Sequence, residues 1–159
     1  MFERTRTPED RDFSEIESIT GRQLIEPYKN AYKTYSGITF PNFGPKIVAT
    51  CCDGLTFDEH LQKFLTVDDI RDQWEYIGYL SQFANHFAIP TSFVEPEHLV
   101  PFADLSDGCI YVANGGLHAG AVFAADNGDF GIGKLESSVD AFVAKIGQDC
   151  NISDRLITE

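Results

Sequence analysis

Between Asp72 and Gly133 the chain carries no lysine or arginine, although that stretch holds eight acids. The whole sequence has 25 acids against 12 bases, a net charge of −13. A surface of that sign repels nucleic acid and anionic membranes, so neither is expected as a partner. It attracts a basic protein, although acidity also serves solubility alone. Histidine is scarce: His60, His86, His98 and His118 form no HxxxH or HxH pair, which removes local support for a histidine metal site. Cys51, Cys52, Cys109 and Cys150 make no CxxC pattern and read as reduced packing residues. No apolar run reaches the roughly 18 residues of a membrane span. The first dozen residues lack the apolar core of a secretory signal, so a cytoplasmic protein is expected.

What is present suits one α+β domain. Hydrophobic content of 43% excludes wholesale disorder, and 159 residues can bury a core without disulfides. Residues 1–12 are polar and predict a loose arm. In the stretch Glu15 to Gly37, Ile16, Ile19, Leu24, Tyr28, Ala31, Tyr32 and Tyr35 recur near helical spacing. Helices are expected at 13–20 and 25–35, with Gly21 as a C-cap and Pro27 in the first turn of the second. Gly37 to Pro45 reads as a loop or irregular strand, and Lys46 to Cys52 as a strand. Asp58 to Phe64 reads as a helical turn. A long helix is expected over 67–87 on the stripe Ile70, Trp74, Ile77, Leu80, Phe83 and Phe87, with Thr66 as N-cap. After Pro90 the pattern predicts strands at 92–95, 98–103, 109–113, 120–125 and 130–135. Asp126-Asn127-Gly128-Asp129 is a hairpin signal, and Asn114-Gly115-Gly116 begins a looser turn. Residues 137–147 read as a closing helix stopped by Gly147, leaving 148–159 as a tail and 13–147 as the domain. N-terminal helices on a mainly antiparallel sheet, with a long central and a C-terminal helix, make the expected architecture.

Catalytic signatures are thin. Glu95, Glu97 and His98 offer ligand atoms, but alternation along a strand is expected to separate 97 from 98. Asp126 to Asp129 resembles part of a calcium loop without the later glutamate, so a turn is preferred. The glycines from Gly128 to Gly133 precede no Lys-Ser/Thr pair, and Ser137-Ser138 has no GxSxG context. Neither a cofactor nor a metal is expected, and the residues point away from an enzyme.

The order Glu17, Gly21, Leu24, Tyr28, Tyr32 and Ser36-Gly37 resembles the opening of the SUKH superfamily, the cell-wall-assembly regulator-like and bacterial toxin-immunity proteins. Ile25 stands where that family usually has proline after the leucine, and the closing turn has a single glycine. Leu65 to Ile70 is similar to the family's mid-chain helix start. Val100 to Asp104 with Asp107 to Tyr111 resembles its Pro-Phe-Ala strand, turn and next strand. Gly120 to Phe123 and Leu135 to Val143 look like its last strands and terminal helix, with Val139 replacing a phenylalanine. The resemblance spans residues 13–147.

It implies a non-catalytic immunity protein that occludes a cognate toxin, and many such toxins are nucleases with basic grooves. Charge density alone nominates Asp53, Asp58, Glu59, Asp68, Asp69, Asp72 and Glu75 as partner-binding residues. For Asp68 and Asp69, helix-start roles compete with that assignment. The alternatives are a regulatory or scaffold module of the same fold, and a small hydrolase or ligand-binding domain. Partner identity and oligomeric state are left open.

Overall fold

Glu17 organises the first two helices, α1 (Arg11–Thr20) and α2 (Glu26–Tyr35). Its carbonyl accepts the Gly21 N–H at 2.8 Å, and its side-chain Oε2 accepts the Leu24 N–H at 2.9 Å. Gly21 has φ +65°, a left-handed conformation that side-chain-bearing residues adopt at a cost. The turn thus has its Gly21 and Leu24 N–H groups matched by one residue. Ile16, Leu24, Tyr28, Ala31, Tyr32 and Tyr35 are all buried, as their spacing predicts. The computed structural model describes residues 3–40, 44–76, 78–127 and 131–150.

Among the described residues eight strands form one antiparallel sheet. They are β1 (Glu3–Arg4), β2 (Ile38–Thr39), β3 (Lys46–Cys51), β4 (Thr56–Phe64), β5 (Leu99–Leu105), β6 (Gly108–Ala113), β7 (Val122–Asp126) and β8 (Ile132–Glu136). Their order is β1-β2-β4-β3-β8-β7-β6-β5, and β5 pairs in turn with β4. That last pairing closes six strands into a ring. Within it β3 and β4 alternate between buried and exposed residues, whereas β7 is buried along its whole length. Helices cover the sheet: Tyr28 of α2 donates its hydroxyl to Pro101 O at 2.8 Å. An aromatic chain runs Tyr35–Phe64–Phe102–Phe142, with ring centroids 5.1, 5.4 and 6.4 Å apart. It joins α2, β4 and β5 to the closing helix α5 (Val139–Cys150).

Several sequence expectations change. Residues 56–64 form β4, not a helical turn. Phe57, Leu61 and Phe64 have helical spacing, but Glu59 takes the inward place between the first two, and a bulge between Leu61 and Lys63 turns Phe64 inward. Residues 91–93 turn instead of extending, with Phe93 and Val94 N–H both donating to Pro90 O. The central helix comes in pieces: α3 (Val67–Gln73), a 3-10 turn (Trp74–Tyr76) and α4 (Gly78–His86). Gly147 does not stop α5, which continues to Cys150.

Residues 3–12 carry a strand and a buried ion pair. β1 pairs with β2, and Arg6 reaches Asp12 at 2.8 Å. Residues 128–130, which include Gly128 and Asp129 of the expected hairpin turn, and the tail residues 151–159 lie outside the described residues, as does Ile77 of the central stripe.

Candidate functional site

The seven nominated acids do not form one patch. Asp53 lies in the turn between β3 and β4, exposed, its Oδ1 accepting the Leu55 N–H at 3.0 Å. β4 has nine residues and spans roughly 30 Å, so α3 at its far end is well separated from Asp53. Asp58 is exposed on β4 and pairs with its diagonal neighbour Lys46 at 2.8 Å. That hydrogen bond and the lysine charge lower its pKa. Asp68 pairs with Arg71 at 2.8 Å, and Arg71 also reaches Glu15 of α1 at 3.0 Å.

Asp69 closes a capping box with Thr66: its Oδ2 accepts the Thr66 N–H at 2.9 Å, while Thr66 Oγ1 accepts the Asp69 N–H at 3.3 Å. Lys63 adds an ion pair at 2.9 Å. Partial burial raises the Asp69 pKa, but the Thr66 N–H and Lys63 outweigh it and the net shift is downward. Asp72 and Glu75 are exposed beyond it and have no ion pair among the described residues.

Glu59 is separated from its neighbour Asp58 by strand alternation and turns into the protein, 8% exposed. Its Oε1 accepts the Asp107 N–H at 2.6 Å. Burial pushes its carboxyl up to about 7; the Asp107 N–H opposes this, and the charges of Asp126 and Asp107 add to it. Ligand atoms of Glu59, Asp107 and Asp126 lie within 4.8 Å of one another. No sequence signal marks this trio, because its members come from β4, the β5–β6 turn and β7.

A second group corrects the expectation for 95–98. Pro96–His98 is a 3-10 turn and not a strand, so Glu95, Glu97 and His98 bring ligand atoms within 4.8 Å. Glu95 already accepts the Leu117 N–H at 2.7 Å.

Trp74, read from sequence as core, packs half-buried against it, with the Arg22 guanidinium 4.9 Å from its ring centroid. Cys109 is buried, and burial drives its thiol far above the ordinary range, the opposite of an activated nucleophile. Burial raises the Cys51 thiol as well, and Cys52 is exposed. Among the described residues no helix is long and apolar enough to cross a membrane.

Helices resting on an antiparallel sheet, joined at the start by the Glu17–Gly21–Leu24 turn, define an α+β domain. The chain belongs to the SMI1 / KNR4 family (SUKH-1), whose model matches residues 7–145. Neither a curated protein nor a solved structure matches it significantly. Membership is consistent with an immunity or regulatory module and suggests a protein-interaction role.

Proposed function

We propose that this protein is an immunity protein that neutralises a basic cognate toxin by binding, with no chemical step of its own. The observation that carries this reading is a family of interaction modules combined with exposed acids left without counter-ions. Asp58, Asp68 and Asp69 are neutralised by Lys46, Arg71 and Lys63, and Glu59 is buried. Asp72 and Glu75 remain, on the end of α3 and the turn that follows it, with Asp53 at a distance on the β3–β4 turn. Their sign complements a nuclease groove built to hold phosphates. Complementary charge accelerates encounter by about 10- to 1000-fold at low salt, and a toxin must be captured before it acts.

Co-expression with the product of the neighbouring gene tests this. Rescue of growth together with co-purification is expected. Asp72→Lys with Glu75→Lys should slow association at least tenfold at low ionic strength while thermal stability is retained. Growth arrest unrelieved by this protein, with no complex recovered, would remove the immunity reading. An association rate unaffected by the double reversal would remove this face from it.

A further inference from the structure

Glu59 Oε2 is buried without a hydrogen bond of sound geometry among the described residues, although the Ser106 hydroxyl stands near enough to the carboxyl to favour its charged form. Such an oxygen has given up water for nothing, a cost that a native fold ordinarily recovers through a ligand or a matched donor. Its surroundings point to a cation. The β4–β5 register sets Leu61 opposite Leu105, and the β6–β7 register sets Gly108 opposite Asp126. These pairings bring β4, the β5–β6 turn and the end of β7 together. The Asp107 carbonyl also accepts the Asn127 N–H at 3.0 Å, which ties that turn to the segment after β7.

Within this junction the ligand atoms of Glu59, Asp107 and Asp126 lie within 4.8 Å of one another. Three oxygens that close share a centre no more than about 2.8 Å from each, so a side-chain adjustment of a few tenths of an ångström brings all three to the roughly 2.4 Å of a calcium ion. Every donor is a hard carboxylate oxygen, which selects against zinc and other thiolate- or imidazole-seeking metals. Donors from three separate backbone segments suit the flexible coordination of calcium better than the strict octahedron of magnesium. Asp107 is exposed, giving the ion an entry path and room for waters. Neither Glu59 nor Asp107 has an ion pair among the described residues that would take a cation's place.

We propose that Glu59, Asp107 and Asp126 bind a calcium ion that fastens the β5–β6 turn to β4 and β7. The site differs from a contiguous calcium loop in that its ligands are assembled by strand pairing. It is also distinct from the Asp72–Glu75 surface, so the two can be tested apart.

Chelator-treated protein is titrated with calcium chloride and separately with magnesium chloride, reading melting temperature and calorimetric heat. Calcium at about 100 times its Kd should raise Tm by roughly 5–10 °C, with one ion per chain and a smaller response to magnesium. Glu59→Gln keeps an acceptor for the Asp107 N–H and should abolish the calcium shift. Asp107→Asn, at an exposed position, should weaken it and covers the case in which the Glu59 variant fails to fold. Asp72→Asn is the control for general acidity and should leave the shift intact. The proposal is overturned by a wild-type protein with neither shift nor heat, by a larger magnesium response, or by equal calcium shifts in wild type and the Asp107 variant.

Discussion

The Arg6 guanidinium grips the fully buried Asp12 carboxylate through two hydrogen bonds of 2.8 Å, Nη1 to Oδ2 and Nη2 to Oδ1. The Tyr32 hydroxyl donates to Oδ2 at 2.9 Å, and the Glu9 N–H does so at 3.1 Å. The N-terminal segment, α1 and α2 are thereby locked to one carboxylate. Replacing Arg6 with alanine leaves that charge buried with neutral donors only. A loss of about 3 kcal/mol is expected, measured by urea denaturation. A loss below about 1 kcal/mol would mean that the segment contributes little to the fold.

The same carboxylate predicts acid sensitivity. Burial opposes its charge, but the hydrogen bonds from Arg6, Glu9 and Tyr32 prevail and lower its pKa from the ordinary 3.8. A group with a depressed folded-state pKa stabilises the fold above its unfolded value, and that stability is lost as pH falls through the folded value. Wild type should therefore exceed Asp12→Asn in urea midpoint at pH 6, with the gap closing progressively below pH 3.8. A gap that stays constant down to pH 2 would assign the difference to packing.

Close packing where β3, β4 and β8 meet gives a third expectation. A Cβ on Gly133 would stand 2.7 Å from Ala49 Cβ and 3.0 Å from Phe57 Cε1. Gly133→Ala should cost about 1–3 kcal/mol through overpacking. Adding Ala49→Gly relieves the nearer contact, so the double variant should be more stable than the sum of the two single changes predicts. Simple additivity in thermal melts would show that the strands part easily there.

The acids of α3 should divide by role. Asp69→Lys removes the capping box and sets two lysines together, so a loss of about 1–2 kcal/mol is expected in chemical denaturation. Asp72→Lys should change stability by no more than about 0.5 kcal/mol. Equal losses from both would undo the separation between capping acid and surface acid.

The apolar stripe of the first two helices and the Gly21 C-cap were legible because their spacing is local and repeats with the helical period. The four strands from β5 to β8 were legible for a similar reason, as short β-branched or apolar runs divided by turn residues. β4 was not. Its inward positions include Glu59 and its bulge imitates helical spacing, so pattern and structure diverge at one charged residue. The break between α3 and α4 was hidden by an unbroken apolar stripe.

Of the site, the sequence showed where acids concentrate but not which are spent. Lys46, Lys63 and Arg71 claim Asp58, Asp69 and Asp68 through pairings set by strand register and helix placement.

By itself the sequence determined the class of fold and the family, through local periodicity, capping residues and motif order, together with the sign of the surface charge. Tertiary structure alone decided that β5 returns to β4, that Arg6 meets Asp12, and that Glu59, Asp107 and Asp126 converge. Strand pairing joins residues distant in the chain, and nothing in local spacing records which strands will pair. Burial and ion pairing then decide the state of each carboxylate: Asp58 and Asp68 are paired at the surface, and Glu59 acquires the chemistry of an interior group.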